Sequence, residues 1–157
     1  MSTDIKQIFE LTGELKAGEK ELLEDAYAFA EKAHEGQKRH SGDPYFVHVF
    51  ETAKILASLG MDAKTIAAGF MHDVLEDTEI QESEMEEKFG KDIVFLVNGV
   101  TKLGTLKYRG HERHVESLRK FFVAMSNDLR VVIIKLADRL HNLRTLEHVR
   151  EDKRARI

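Results

Sequence analysis

Apolar residues recur at intervals of three and four along almost the whole chain, and a single proline, Pro44, interrupts them. Such spacing keeps one stripe of a helix dry, so it predicts helices nearly everywhere and leaves little room for a sheet. Leu22, Leu23, Ala26, Phe29 and Ala30 predict a helix from about 19 to 35, stopped by Gly36. Asp43 is expected to cap a second helix with Pro44 in its first position, carrying Phe46, Val49, Ile55, Leu56 and Leu59 up to Gly60. Asp62 is expected to cap a third, through Ala67, Ala68, Phe70 and Met71. A short acidic helix from about 81 to 89 ends at Gly90, and another runs through Ile93, Val94, Leu96 and Val97 to Gly99. A loop from about 100 to 110 precedes an amphipathic helix from about 112 to 126. The last helix, from about 128 to 146, holds Val131-Val132-Ile133-Ile134, which alone reads as a strand. Leu136, Ala137, Leu140 and Leu143 restore helical spacing, and no partner strand is evident. The expected fold is all-α, a compact irregular bundle.

A chain of 157 residues is long enough for one domain with a real core. It contains no cysteine, which excludes disulfides, thiolate zinc sites and cysteine nucleophiles. Apolar runs such as Phe121-Phe122-Val123-Ala124-Met125 are too short to span a membrane, and the charged N-terminus does not read as a signal peptide. These features point to a cytoplasmic protein. A net charge of −4 argues against direct nucleic-acid binding through a basic surface. Charge is nevertheless uneven. Nine acids face two lysines between Asp73 and Asp92, whereas six Lys/Arg face two Glu between Thr101 and Lys120. That pairing could suit a metal acting on a phosphorylated substrate, but charge alone favours two solvated helix faces.

Eight histidines is a high number for this length, so their neighbours decide which matter. His72-Asp73 ends an apolar helix, where an ionisable pair is costly to bury without a partner or a metal. Asp138 interrupts an apolar run in the same way, with a salt bridge to Arg139 or to an arginine elsewhere as the plain alternative. His48 lies one turn into the helix that begins at Pro44. Together, His48, His72, Asp73 and Asp138 would supply two imidazoles and two carboxylates from three helices. Such a set suits a borderline divalent ion and leaves positions for water, which the ion acidifies. Glu76 and Asp77 would share a face with Asp73 if the helix continued. Three carboxylates so close repel unless a cation relieves them, and one could then move a proton. A charged turn explains the pair equally well.

At this point the sequence resembles the metal-dependent HD phosphohydrolases, and within them the Rel/SpoT family of alarmone enzymes. AHEGQKRHSGDPYFVH (33–48), GFMHDVLEDT (69–78), FGKDIVFLVNGVTKLG (89–104) and IKLADRLHNLRTL (134–146) carry the resemblance. The resemblance implies metal ligands at His48, His72, Asp73 and Asp138, with Mn²⁺ as the ion. Glu76 and Asp77 match the acidic pair of hydrolase-competent members. Arg39, His40 and Ser41 match the loop that holds a guanine nucleotide, and Asn142 and Thr145 match nucleoside contacts. Lys102 falls in the family's basic loop, as a phosphate contact. The reaction implied is removal of the 3′-pyrophosphate of ppGpp or pppGpp, the stringent-response alarmones, to give GDP or GTP and pyrophosphate.

Departures from the family pattern also stand out. Val49-Phe50 replaces the proline common after the first ligand histidine, and lysine is frequent where this chain has His40. The chain also stops soon after the last ligand helix, where family hydrolase domains continue with closing helices. The resemblance therefore implies an HD domain over 1–157, truncated at its C-terminal side and belonging to a longer enzyme with synthetase and regulatory domains. The alternatives are an HD phosphohydrolase for another nucleotide, a catalytically silent regulatory HD module and a plain helical interaction domain. His141 reads as a core or supporting histidine. His34, His111, His114 and His148 read as surface residues, and Arg144 as a substrate contact or a partner of Glu147.

Overall fold

A helix that is apolar on nearly every side has to be surrounded, and residues 63–71, with Lys64 their one charge, are such a segment. In the computed structural model, which describes residues 3–39, 41–104, 119, 123 and 127–145, this segment is the central element. The described helices are α1 (Lys6–Thr12), α2 (Glu19–Ala33), α3 (Tyr45–Ser58), α4 (Ala63–Met71), α5 (Val74–Asp77), α6 (Glu82–Phe89), α7 (Lys91–Gly104) and α8 (Leu129–Arg144). Helices α2, α3, α7 and α8 all pack on α4, and α3 also packs on α8 and α1. Every residue of α4 except Lys64 is buried. The architecture is all-α, as the spacing predicts. None of the described helices is long and apolar enough to cross a membrane.

Close approach around α4 depends on small residues. A side chain at Gly69 would run into Leu56 of α3, so glycine at this position lets the two helices meet. Below it, Tyr27, Phe46, Phe50 and Phe70 meet edge to face or tilted, with centroids 5.0 to 6.3 Å apart. This aromatic plug fixes α2, α3 and α4 to one another.

Several helix boundaries differ from the sequence reading for local reasons. Asp43 does not cap α3: Pro44 takes that position and makes no side-chain cap. Asp43 is consumed by a tight loop instead, where its carbonyl accepts the Arg39 N–H at 2.9 Å while Tyr45 N–H donates to Gln37 O at 2.9 Å. Gly42 turns this loop with φ +90°, a conformation that favours glycine. Asp62 does cap α4, accepting from Thr65 N–H at 2.7 Å. Helix α1, carrying fully buried Ile8, had no counterpart in the spacing analysis. On α8 the buried face is Val131, Val132, Ile134, Ala137, Asp138 and His141, while Leu136, Leu140 and Leu143 stay exposed. The helix expected from about 112 to 126 lies outside the described residues.

Gly99 gives the clearest correction. It does not stop α7, which runs on to Gly104. A Cβ at Gly99 would sit 2.7 and 2.9 Å from the two methyl groups of Val131, so glycine is needed there for α7 to reach α8. Valine is stiff at χ1 and cannot swing away. Gly99→Ala is therefore expected to destabilise the fold by about 1–3 kcal/mol despite its better helix propensity. Urea unfolding checks this, and a stabilised variant would contradict it.

Candidate metal centre and adjoining groove

Helices α3, α4 and α8 bring one donor each to a single point. Nε2 of His48, Nε2 of His72 and a carboxylate oxygen of Asp138 lie within 4.8 Å of one another, all three residues being buried. The chain places Asp73 beside them by breaking the helix. Helix α4 ends at Met71, and Asp73 has φ −101° and ψ −5° before α5 begins. Consecutive residues of an intact helix point about 100° apart. The break lets His72 and Asp73 converge, with Asp73 Oδ2 3.1 Å from His72 Nε2 and 3.5 Å from His48 Nε2. Asp138 Oδ1 completes the group, 3.3 Å from His48 Nε2 and 3.9 Å from His72 Nε2.

The outer nitrogens of both imidazoles are fixed. His72 Nδ1 donates to the Gly69 carbonyl at 2.8 Å, so its Nε2 faces the carboxylates. His48 Nδ1 sits 2.8 Å from His141 Nδ1, and Arg39 Nη1 donates to that same His141 atom at 3.3 Å. His141 Nδ1 is thus the acceptor, and His48 donates to it. Burial, His48 and Arg39 push the His141 imidazole down to about 4, which keeps it neutral for this purpose. Two Nε2 atoms are left facing two carboxylates. Lone pairs cannot face carboxylate oxygens without protons or a cation between them.

Charge adjusts accordingly. Burial alone would lower the His72 imidazole, but the Asp73 and Asp138 carboxylates outweigh it and raise it to about 9. Burial alone would raise both carboxyls. The His72 and His48 rings instead hold Asp73 well below the usual range, and His48, His72 and Lys135 do the same for Asp138. Lys135 Nζ reaches the outer oxygen of Asp138 at 2.8 Å, and Asn142 Nδ2 donates to the inner one at 2.6 Å. Asp138 therefore pairs with Lys135 and the imidazoles in place of the Arg139 bridge weighed from sequence. His72 Nε2, sealed from solvent, makes no hydrogen bond. Two nitrogens, one of them buried and orphaned, and two oxygens fit a divalent ion of borderline softness.

The other predicted residues divide. Asp77 joins the centre through Tyr45, whose hydroxyl lies 2.7 Å from Asp77 Oδ2 and 2.8 Å from Asp73 Oδ2. Burial and those carboxylates raise the Tyr45 phenol, so it stays protonated. Glu76 is exposed nearby, and burial with the Asp73 and Asp77 charges raises its carboxyl. Arg39 donates to Asn142 Oδ1, which links it through Asn142 to Asp138. Arg39, Ser41, His48, His141 and Thr145 share the wall of a groove of about 780 Å³. Lys102 lines a different groove, with Phe95, Asn98 and Val131, and shares it with none of the other candidates. Arg144 is exposed, whereas His40, His111, His114 and His148 lie outside the described residues.

His34 corrects the surface reading. It is 2% exposed, stacked on Tyr45 with centroids 4.8 Å apart, and its Nδ1 donates to Gln37 Oε1 at 2.9 Å. Sequence reasoning passed over Tyr45, Gln37 and His34 as functional residues. The one available signal was their position inside the quoted 33–48 segment.

Residues 26–157 match the family described as HD domain. The chain belongs to the HD domain family. This HD domain is 50% identical over 136 residues to the bifunctional (p)ppGpp synthase/hydrolase SpoT of Escherichia coli K12, covering 86% of the chain and 19% of that protein. It is 45% identical over 141 residues to a GTP pyrophosphokinase of Myxococcus xanthus, covering 87% and 19%. A solved structure described as a metazoan ortholog of SpoT that hydrolyses ppGpp superposes with a TM-score of 0.71 at 27% identity, covering 92% of this chain and 81% of that one. The HD domain thus spans about a fifth of the length of the two bacterial relatives.

The raised His72 value has a thermodynamic consequence in the metal-free protein. A group raised from its ordinary 6.5 to about 9 contributes stability that is complete below 6.5 and lost as pH rises through 9. A bound divalent ion displaces that proton. With chelator present, the melting temperature is expected to fall between pH 6.5 and 9; with metal bound, that fall should be absent. Parallel pH profiles of the two forms would refute the assignment.

Proposed function

We propose that this HD domain is a metal-dependent hydrolase that removes the 3′-pyrophosphate of ppGpp or pppGpp, releasing pyrophosphate and GDP or GTP. The observation that carries the reading is the convergence of His48, His72, Asp73 and Asp138 at the edge of a groove walled by Arg39, Ser41 and Thr145. The names of the relatives, a (p)ppGpp synthase/hydrolase and a ppGpp-hydrolysing structure, support the choice of substrate.

His48, His72, Asp73 and Asp138 would hold the ion, which we take to be Mn²⁺. When bound, it supplies Lewis-acid activation of water and offsets charge on the pyrophosphate. Water adds to the phosphorus attached to the ribose 3′ oxygen, the P–O3′ bond breaks, and that oxygen must gain a proton. Glu76, whose carboxyl burial and the Asp73 and Asp77 charges raise, suits the proton transfer, with Asp77 orienting the water. Arg39 offers a planar cation that can stack on guanine as well as pair with phosphate, neither of which lysine does in the same geometry. Ser41, Asn142 and Thr145 provide neutral hydrogen-bonding groups to the nucleoside. His40 keeps the role the resemblance implies for it, as a nucleotide-loop residue, whereas Lys102, which lines another groove, is given no contact with this substrate.

The share of the relatives' length left over supports a longer bifunctional protein with synthetase and regulatory domains as partners of this domain. We assign it to the cytoplasm, where guanine nucleotides are made and spent.

Incubation of the purified chain with ppGpp and Mn²⁺ is expected to release GDP and pyrophosphate. Asp73→Asn should lower kcat at least about a hundredfold. Arg39→Lys should raise KM about tenfold, the equivalent of one charge-assisted hydrogen bond. Metal-loaded protein that spares ppGpp but cleaves another nucleotide in a substrate panel would overturn the substrate; absence of bound metal would overturn the ligand set.

A further inference from the structure

We propose that Tyr45 is a positioning residue that locks Asp73, a candidate metal ligand, to Asp77, the candidate water-orienting group. The proposal rests on the hydrolase reading above. Its basis is a count of protons. The Tyr45 hydroxyl lies within 2.8 Å of both carboxylates, yet a phenol has one proton to donate. The two acids are therefore held to a single shared donor. The Asp73 oxygen it holds, Oδ2, is the same one that faces the Nε2 atoms of His48 and His72. Where Tyr45 stands decides where that oxygen stands.

The ring has little freedom. His34 stacks on it at 4.8 Å with 25° between the planes, and His48 meets it edge-on at 5.8 Å. His34 is in turn fixed by Gln37, whose Nε2 donates to the backbone carbonyl of Asp77 at 3.0 Å. Gln37 O accepts the Tyr45 N–H at 2.9 Å, which closes the circuit. The 37–45 loop thus grips Asp77 twice, by its side chain through Tyr45 and by its backbone through Gln37. A phenylalanine would fill the same space and keep the same stack. Only the bond to the two acids would be lost.

Tyr45→Phe and Gln37→Leu together test this. Tyr45→Phe is expected to lower kcat 10- to 100-fold with KM changed less than about threefold, and to weaken Mn²⁺ binding, read by calorimetry, about tenfold. Its melting temperature should stay within about 3 °C of wild type, because the ring remains. Gln37→Leu removes a direct hold on Asp77 but reaches Asp73 only through His34 and Tyr45, so it should lower kcat while weakening Mn²⁺ binding less than Tyr45→Phe does. Wild-type kcat and Mn²⁺ affinity in Tyr45→Phe would overturn the proposal, as would equal losses of Mn²⁺ affinity in both variants. If Tyr45→Phe itself melts far lower, Gln37→Leu decides: wild-type kcat there overturns the double grip on Asp77. If wild-type protein binds Mn²⁺ but does not cleave ppGpp, the substrate reading fails, and the Mn²⁺ affinity of Tyr45→Phe still decides the positioning role.

Discussion

Two carboxylates and two imidazoles meet in the interior, and that concentration of unlike groups is the constraint on which the rest depends. A core that size would otherwise hold aliphatic side chains, since isolated charges are far too costly to bury. The fold makes the cluster tolerable by surrounding it with oriented partners. Gly69 O, His141 and Arg39 fix the imidazoles from outside, and Lys135 and Asn142 hold Asp138. Remove the cluster and these partners have no common purpose. The helix break at Asp73, the apolar α4 and the glycine contacts at Gly69 and Gly99 are the packing conditions that bring three helices close enough for it to form.

Much of this was legible in the sequence. The all-α fold follows from spacing alone, because three- and four-residue periodicity reports directly on which face is dry. His72-Asp73 and Asp138 were conspicuous for the same reason: they stand where the pattern calls for aliphatic side chains. The resemblance then supplied roles that residue types left open, and the geometry brings His48, His72, Asp73, Asp138, Arg39, Asn142 and Asp77 into one connected network.

What was not legible depended on tertiary contact. Gly99 reads as a helix stop by local rules, and its reason, two methyl groups of Val131, lies 32 positions away. Asp43 reads as a cap until the loop it belongs to is seen to use its backbone. His34 has ordinary charged neighbours, and nothing local marks it as the residue that stacks on Tyr45. Leu136, Leu140 and Leu143 satisfy the same periodicity as the buried stripe of α8, and only packing shows which face turns inward. Lys102 sits in a plausible basic stretch but on a helix face that turns toward another groove.

The chain of bonds from Arg39 through Asn142 to Asp138 joins two sites that are otherwise described separately, a groove and an ion-binding cluster. Any guest that draws Arg39 away from Asn142 leaves the amide free to reorient, and Asp138 then feels a different field. Linkage runs equally in both directions: whatever the guest does to the ion's hold, the ion does to the guest's. The groove and the ion-binding cluster are thus coupled through one amide, and what either of them holds is felt by the other.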